Sequence, residues 1–225
     1  MKTFDDAKWM KWQALSGAMF ALFLFMHLIN QMLATLGQQT YDGYQVTMRK
    51  GYQAPVLEIV LVLAPLLVHA VCGIVRVWKR RSRETQTPVS WRVRLHRYSG
   101  YFLTFVFIGH VGATRGASFF YGAWPGFKGV AFTFTWVPAY FWPYYTLLAL
   151  SGWYHLVHGL SVALPVLGVK SVGALHRPAV FNTLVGAGSI ALIIGVLSLG
   201  GVFFDVGDVR SSEYVKLVLR LTSSQ

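Results

Sequence analysis

The sequence predicts an all-α integral membrane protein, a bundle of five transmembrane helices with its N-terminus on the inner side. Hydrophobic residues make up 55% of the 225 residues, and charged residues make up only 12%. Five apolar stretches are each long enough to cross a bilayer core of about 30 Å. The third is the least pure, because His96 and Arg97 lie at its start. The predicted spans are 12–36, 55–78, 95–115, 143–166 and 181–204.

The segments outside the spans complete a single membrane domain over residues 1–225. The connection 116–142 combines many aromatic residues with Gly, Pro and Lys128, which predicts an interfacial loop or a re-entrant hairpin. The tail 205–225 contains YVKLVLRL, with basic residues four positions apart. This spacing predicts a short amphipathic helix at the membrane surface.

The charge distribution predicts orientation and not nucleic-acid binding. The formal net charge is +12, and 13 of the 20 Lys and Arg residues fall on the predicted inner side. Such an excess of cytoplasmic positive charge is the usual signature of membrane topology. The basic segment 76–94 is either a solvated loop or a surface for anionic lipid or a partner protein.

Histidines lie well within each of the first four spans, at His27, His69, His110 and His155. A histidine inside a span normally faces the bundle interior and pairs with another group. A single one therefore predicts no more than a hydrogen bond between helices. One on each of four successive helices favours imidazole pairs that hold haem iron from both sides.

The depth of these histidines sorts them into two layers. With a rise of about 1.5 Å per residue, His27 and His110 lie roughly 22 Å above the inner border. His69 and His155 lie roughly 15 Å above it by the same measure. The upper layer therefore pairs the first span with the third, and the lower layer pairs the second with the fourth.

The neighbouring residues offer room and polar partners for such a group. Glycines within four residues of a proposed ligand leave space for a flat macrocycle, although small residues also serve ordinary helix packing. These glycines are Gly73, Gly109, Gly112, Gly152 and Gly159. Haem propionates need cationic or hydroxyl partners. Arg97 and Ser99 near the inner border and Arg115 near the outer one are the candidates, with snorkelling to the interface as the alternative for both arginines.

Three stretches resemble the cytochrome b membrane anchor of succinate dehydrogenase and fumarate reductase, in its single-chain, five-helix, two-haem form. They are LEIVLVLAPLLVHAVCGI (57–74), LHRYSGYFLTFVFIGHVGATR (95–115) and LALSGWYHLVHGL (148–160). The resemblance covers the first four spans well and the fifth only in general character. It implies that His27 and His110 ligate a distal haem b, and that His69 and His155 ligate a proximal one. His158 falls where the family need not have a histidine.

The same resemblance implies the setting of the protein. Such an anchor is a non-catalytic electron-transfer subunit of a complex II-type respiratory enzyme, in a bacterial plasma membrane or the mitochondrial inner membrane. It binds a flavoprotein and an iron–sulfur protein on the inner face, here towards the segment 76–94, and passes electrons to or from a membrane quinone. The stretch KWQALSG departs from relatives by having Gln13 in place of a basic residue, which weakens a propionate or quinone contact near Ser16.

Glu58 is a carboxylate at the outer border of the second span. It either assists proton transfer to a quinone or pairs with Arg49. A second class of function also fits the sequence, because RKGYQAPVLE (49–58) and WPYYTLLALSGWYHLVHGL (142–160) are similar to a fungal mitochondrial outer-membrane family related to these anchors. That family acts in lipid homeostasis and is not known to transfer electrons.

Overall fold

The computed structural model describes residues 5–81 and 89–223, and every regular element in these ranges is helical. The predicted all-α class is therefore confirmed. The longer helices are α1 (Asp6–Leu33), α2 (Gln38–Tyr52), α3 (Ala64–Arg81), α4 (Trp91–Val111), α5 (Gly126–Trp136), α6 (Pro138–Val166), α7 (Pro178–Leu199) and α8 (Glu213–Ser223).

Within the described ranges, four helical segments are long and apolar enough to cross a membrane. They are Asp6–Leu36, Val56–Lys79, Pro138–Val166 and Pro178–Leu199. The predicted third span forms α4. This helix is long enough to cross a membrane, but it is not among the four segments that are also apolar enough. Arginines flank it and Ser, Gly, Tyr and His residues interrupt it, so its apolarity stays low. Its outward face nevertheless exposes large apolar side chains, with Phe105 85% and Ile108 70% accessible.

Two π-helical turns extend the spans at their predicted outer ends. Helix α3 is preceded by a short helix, Pro55–Glu58, and a π turn, Ile59–Leu63. Pro65 lies two residues after this turn and lacks the N–H that a regular helix would use there. Helix α4 continues through a second π turn, Gly112–Gly116. Such turns are frequent at functional sites, and here they adjoin Glu58 and contain Arg115.

The segment 116–142, predicted as an interfacial loop or re-entrant hairpin, forms short helices with a non-helical break at 122–125. A short helix, Ala117–Tyr121, continues α4, and α5 then buries Phe127, Phe132 and Phe134. Helix α6 begins at Pro138, five residues before the predicted span, because proline is well suited to the first turn of a helix. Other aromatic side chains of this segment, Phe119, Phe120 and Tyr121, are more than half exposed.

The tail forms α8, as its charge spacing predicts. Tyr214, Val215 and Leu217 are buried, and α8 packs against α5. The polar face carries the exposed ion pair between Lys216 and Glu213, at 2.6 Å. The helix therefore rests on the protein itself through its apolar face.

Helices α1 and α6 form the centre of the bundle. Helix α1 packs closely against α3, α6 and α7, and α6 also packs against α4 and α7. Glycines on α7 allow this approach, since Gly188 leaves room for the indole of Trp153 and Gly195 lies against the backbone of Gln31. Helices α3 and α4 are not closely packed against each other within the described residues. The bundle is thus most densely packed around α1, α6 and α7.

Candidate functional site

The upper pair of predicted ligands comes together across the bundle. The rings of His27 on α1 and His110 on α4 have centroids 6.0 Å apart and planes inclined by 72°. Phe23 stacks on His27 at 5.8 Å. The Nδ1 atom of His110 is hydrogen-bonded to the hydroxyl of Tyr144 on α6 at 3.2 Å. The partner of each ring is the one expected from depth along the spans.

The lower pair joins the other two helices. His69 on α3 and His155 on α6 have ring centroids 5.9 Å apart and planes at 89°. Four imidazoles from α1, α3, α4 and α6 therefore form two pairs with closely similar separations.

Hydrogen bonds in the lower pair fix which ring nitrogen carries the proton. The Nδ1 of His69 lies 3.0 Å from the carbonyl oxygen of Gln13, which can only accept, so this nitrogen donates. The Nδ1 of His155 lies 3.2 Å from the Ser99 hydroxyl, which donates its own proton to the carbonyl of His96. His155 therefore also donates from Nδ1. In both neutral rings, Nε2 keeps its lone pair for a metal.

This arrangement fits a haem iron held from two sides. Metal–imidazole bonds of about 2 Å place two rings on one ion with centroids about 6 Å apart. Metal-binding histidines also commonly donate their second N–H to a carbonyl or hydroxyl, as these do. The described residues contain no group of three or more His, Cys, Asp or Glu side chains that could hold a metal. A haem iron needs only two ligands from the protein, because the porphyrin supplies the other four.

Two glycines that sequence reasoning missed make room for the lower pair. A Cβ on Gly17 would lie 2.6 Å from His69 Nδ1, and one on Gly100 would lie 3.0 Å from His155 Cε1. Both follow a serine, at Ser16 and Ser99, but the same dipeptide at Ser151 has a glycine that contacts Leu28 instead, so the dipeptide alone does not identify them. They escaped notice because they face ligands on other helices.

The glycines selected from the sequence have other surroundings. A Cβ on Gly109 or Gly112 would meet open space, and one on Gly152 would make ordinary contact with Leu28. The open space beside Gly109 and Gly112 is compatible with the predicted room for a macrocycle, and a Cβ on Gly159 would lie 3.5 Å from His96 Cε1.

The predicted propionate partners occupy different environments. Ser99 is buried beside His155 and orients that ring. Arg97 is exposed at the predicted inner end. Arg115 is bound by Glu58, with Nε and Nη2 each 2.6 Å from a different carboxylate oxygen, and it also donates to Ser118. Three of the five N–H groups of Arg115 are therefore engaged within the protein.

The expected pairing of Glu58 with Arg49 is wrong. Glu58 is only 7% exposed and binds Arg115 in a two-pronged ion pair. Arg49 instead lies over the ring of Trp124, 3.3 Å from its centroid, and its Nε donates to Gln53. Arg115 lies on the span facing Glu58, whereas Arg49 belongs to α2, and the rotation of the helices decides between them.

Gln13 performs a structural task at the predicted inner end. Its side-chain oxygen accepts from Arg76 at 2.6 Å, and Arg76 also forms an ion pair with Asp6 at 2.9 Å. Ser16, whose role was in doubt, donates within α1 to the carbonyl of Trp12. Part of the basic segment 76–94, including Arg83, lies outside the described residues.

Beyond the lower pair, the rings of three histidines form a stack. His96 lies on His155 with centroids 4.1 Å apart, and His158 follows at 4.6 Å from His96. The Nδ1 atoms of His96 and His158 are buried and have no hydrogen-bond partner within the described ranges. Sequence reasoning placed His96 at a membrane border and gave His158 no role.

Comparison of the chain with family models, curated proteins and solved structures finds no match. The geometry of the histidine pairs is therefore the basis for inferring a function.

Proposed function

We propose that the chain is a five-span membrane subunit that binds two haem b groups and transfers electrons. One observation carries the proposal. Two imidazole pairs, drawn from α1, α3, α4 and α6, have ring centroids 6.0 and 5.9 Å apart. Neither separation is required by helix packing, and both suit a metal ion between the rings.

The surroundings of the rings suit electron transfer. Haem supplies reversible one-electron chemistry, and two histidine ligands leave no open position on the iron for oxygen. Gln13 and Ser99 hold the lower rings by Nδ1, and Tyr144 does the same for His110. Fixed rings keep the site unchanged between redox states, which lowers the reorganisation that each electron requires.

We further propose a place for this subunit in a complex II-type enzyme. An iron–sulfur protein, itself bound to a flavoprotein, would dock on the inner face near the basic segment 76–94. A quinone would exchange electrons at the outer end, near Glu58. The carboxylate of Glu58 is held by Arg115, so a quinone there would meet a fixed ion pair. The membrane would be a bacterial plasma membrane or the mitochondrial inner membrane.

The direct test is optical. The protein purified in mild detergent should give a reduced-minus-oxidised b-type spectrum, with about two haems per chain by pyridine haemochrome assay if both pairs bind. His69→Ala or His155→Ala should remove one haem, and His27→Ala or His110→Ala should remove the other. His176→Ala is the matched control, because this histidine is exposed at the end of a 3₁₀ segment.

Two results would contradict the proposal. A preparation that stays colourless after reconstitution with haem would favour the non-enzymatic role in lipid homeostasis. Loss of both haems, or of neither, in a lower-pair variant would overturn the pairing.

Co-purification with a flavoprotein and an iron–sulfur protein would support the complex II setting.

A further inference from the structure

The three connections at the predicted outer end of the bundle enclose a polar cleft. Helix α2 follows the first span, residues 122–128 follow the extension of α4, and a 3₁₀ turn, Val209–Ser211, leads into α8. Together they line a cavity of about 340 Å³. Small-molecule sites begin at about 300 Å³, so the cleft has room for a ligand larger than a single ion. The charged residues that line it are Asp42, Arg49 and Lys128.

Asp42 fixes the wall of the cleft. Its Oδ1 accepts the backbone N–H of Phe127 at 2.7 Å, which joins α2 to the first turn of α5. A Cβ on Gly126 would lie 3.2 Å from the same oxygen, and the φ of Gly126 is +47°, a conformation that favours glycine. This N–H group at the start of α5 is satisfied by the protein, so the side-chain cations are the groups available to a ligand.

Arg49 brings a positive charge to the cleft without an acidic partner. Its guanidinium lies over Trp124, 3.3 Å from the ring centroid, and its Nε donates to Gln53. The guanidinium of Arg115 lies 5.7 Å from the same ring and is near enough to repel Arg49 electrostatically. Both oxygens of Glu58 are bound to Arg115, and no described carboxylate forms an ion pair with Arg49. An anion beside Arg49 would offset this repulsion.

Lys128 adds a second cation from α5. Its Nζ donates to Ser211 Oγ at 2.9 Å, and that hydroxyl donates in turn to the carbonyl of Asp208 at 2.7 Å. Ser211 is thus fixed as an acceptor, which orients the ammonium group. An ammonium has three N–H groups, and two of those on Lys128 have no acceptor among the described residues. The neutral hydrogen-bonding side chains that also line the cleft include Gln38, Gln45 and Ser212.

The charge and the position of the cleft favour a phosphodiester. Arg49 and Lys128 face the single carboxylate of Asp42, so the lining has a net charge of +1. A phosphodiester carries one negative charge, whereas a phosphate monoester carries about 1.5 to 2 at neutral pH. The cleft lies at the outer ends of the spans, where lipid headgroups surround the protein. The exposed Val46 borders it, as does Trp124, a residue type enriched at membrane interfaces.

We propose that this cleft binds the phosphodiester headgroup of a phospholipid on the predicted outer side, with Arg49 and Lys128 as its cationic contacts. The proposal is independent of haem binding. A lipid held there would touch α2, the start of α5 and the turn before α8, and so would tie together the connections at the outer end.

The test measures lipid binding to the full-length protein in detergent by native mass spectrometry. Phosphatidylglycerol is the probe, because its headgroup is a phosphodiester with one negative charge, and diacylglycerol with the same acyl chains lacks the phosphate. We expect the wild-type protein to prefer phosphatidylglycerol. Arg49→Gln/Lys128→Gln should bind it about 10- to 100-fold more weakly, the usual effect of losing charged hydrogen bonds. Diacylglycerol binding should not change.

Two further variants control for bulk charge and for folding. Lys50→Gln/Arg210→Gln removes the same charge from exposed residues at the outer end that do not line the cleft, and it should bind as the wild-type protein does. Lys128→Gln alone removes an exposed hydrogen bond, leaves the ring contact of Arg49 in place, and should still weaken binding about 10-fold. Wild-type affinity in both cleft variants, or an equal loss in the control, would overturn the proposal.

Free phosphate is the other source of the same chemistry. Calorimetric titration with inorganic phosphate at constant ionic strength should give no binding that depends on Arg49 and Lys128. Phosphate that binds the wild-type protein, displaces phosphatidylglycerol and fails to bind the double cleft variant would assign the cleft to a soluble phosphate compound. That result would overturn its assignment to a lipid.

Discussion

Single hydrogen bonds determine what each histidine can do. The Gln13 carbonyl and the Ser99 hydroxyl take the Nδ1 protons of His69 and His155, which leaves Nε2 free on both rings. The same imidazoles with the opposite tautomer would present N–H groups where a metal needs lone pairs. The chemistry of the lower pair thus depends on residues that would never ligate a metal.

Gly17 provides a test at this scale. Gly17→Ala would place a methyl group 2.6 Å from His69 Nδ1, so the ring must move and lose its bond to Gln13. We expect the lower haem to bind about 10- to 100-fold more weakly, the usual effect of disturbing a group that orients a ligand. The measurement is a haem titration in the His27→Ala/His110→Ala background.

The matched control is Gly43→Ala on α2. A Cβ there meets open space, so the substitution brings the same gain of helix propensity without the clash. Equal haem affinity in the two variants would show that Gly17 does not shape the site.

At the scale of elements, α3 and α4 are joined by side chains and not by close helix packing. Helices α3 and α4 stand apart along the described residues, while Glu58 and Arg115 join their extensions at the outer end. Both residues lie in or beside a π turn. The ion pair is thus the main polar link between the second and third spans at that end.

Glu58→Gln tests this link. Removing one partner leaves the Arg115 charge partly buried without its counter-charge, and breaking such a pair typically costs about 3 kcal/mol or more. We expect a lower unfolding free energy in detergent, measured by chemical denaturation. Glu213→Gln removes a pair that is exposed on both sides and should cost less than about 1 kcal/mol. A similar small loss in both variants would show that the buried pair contributes little.

At the scale of the whole molecule, the packing is asymmetric. The core formed by α1, α6 and α7 includes fully buried residues such as Leu192 and Leu199. The two histidine pairs connect α1 with α4 and α3 with α6. Ligands held between them would join four helices, of which α3 and α4 are not in close contact within the described residues.

If the chain binds haem as proposed, haem should stabilise the fold. A ligand that binds only the native state at 1,000 times its dissociation constant contributes about 4 kcal/mol. We expect a higher Tm for haem-loaded than for haem-depleted protein, measured by thermal unfolding in the same detergent. The His27→Ala/His69→Ala variant lacks one ligand of each pair and should show no shift. An equal shift in this variant would indicate that haem binds elsewhere or nonspecifically.

The sequence by itself determined the helical class, most of the long helices and the partner of each central histidine. These follow from composition and from depth, because position along a helix is set by a fixed rise per residue. Only the tertiary structure decided that Glu58 pairs with Arg115, that Gly17 and Gly100 accommodate the imidazoles, and that His96 and His158 extend the lower pair. Those contacts depend on how each helix is rotated about its axis, and that rotation is set by packing against neighbours distant in sequence.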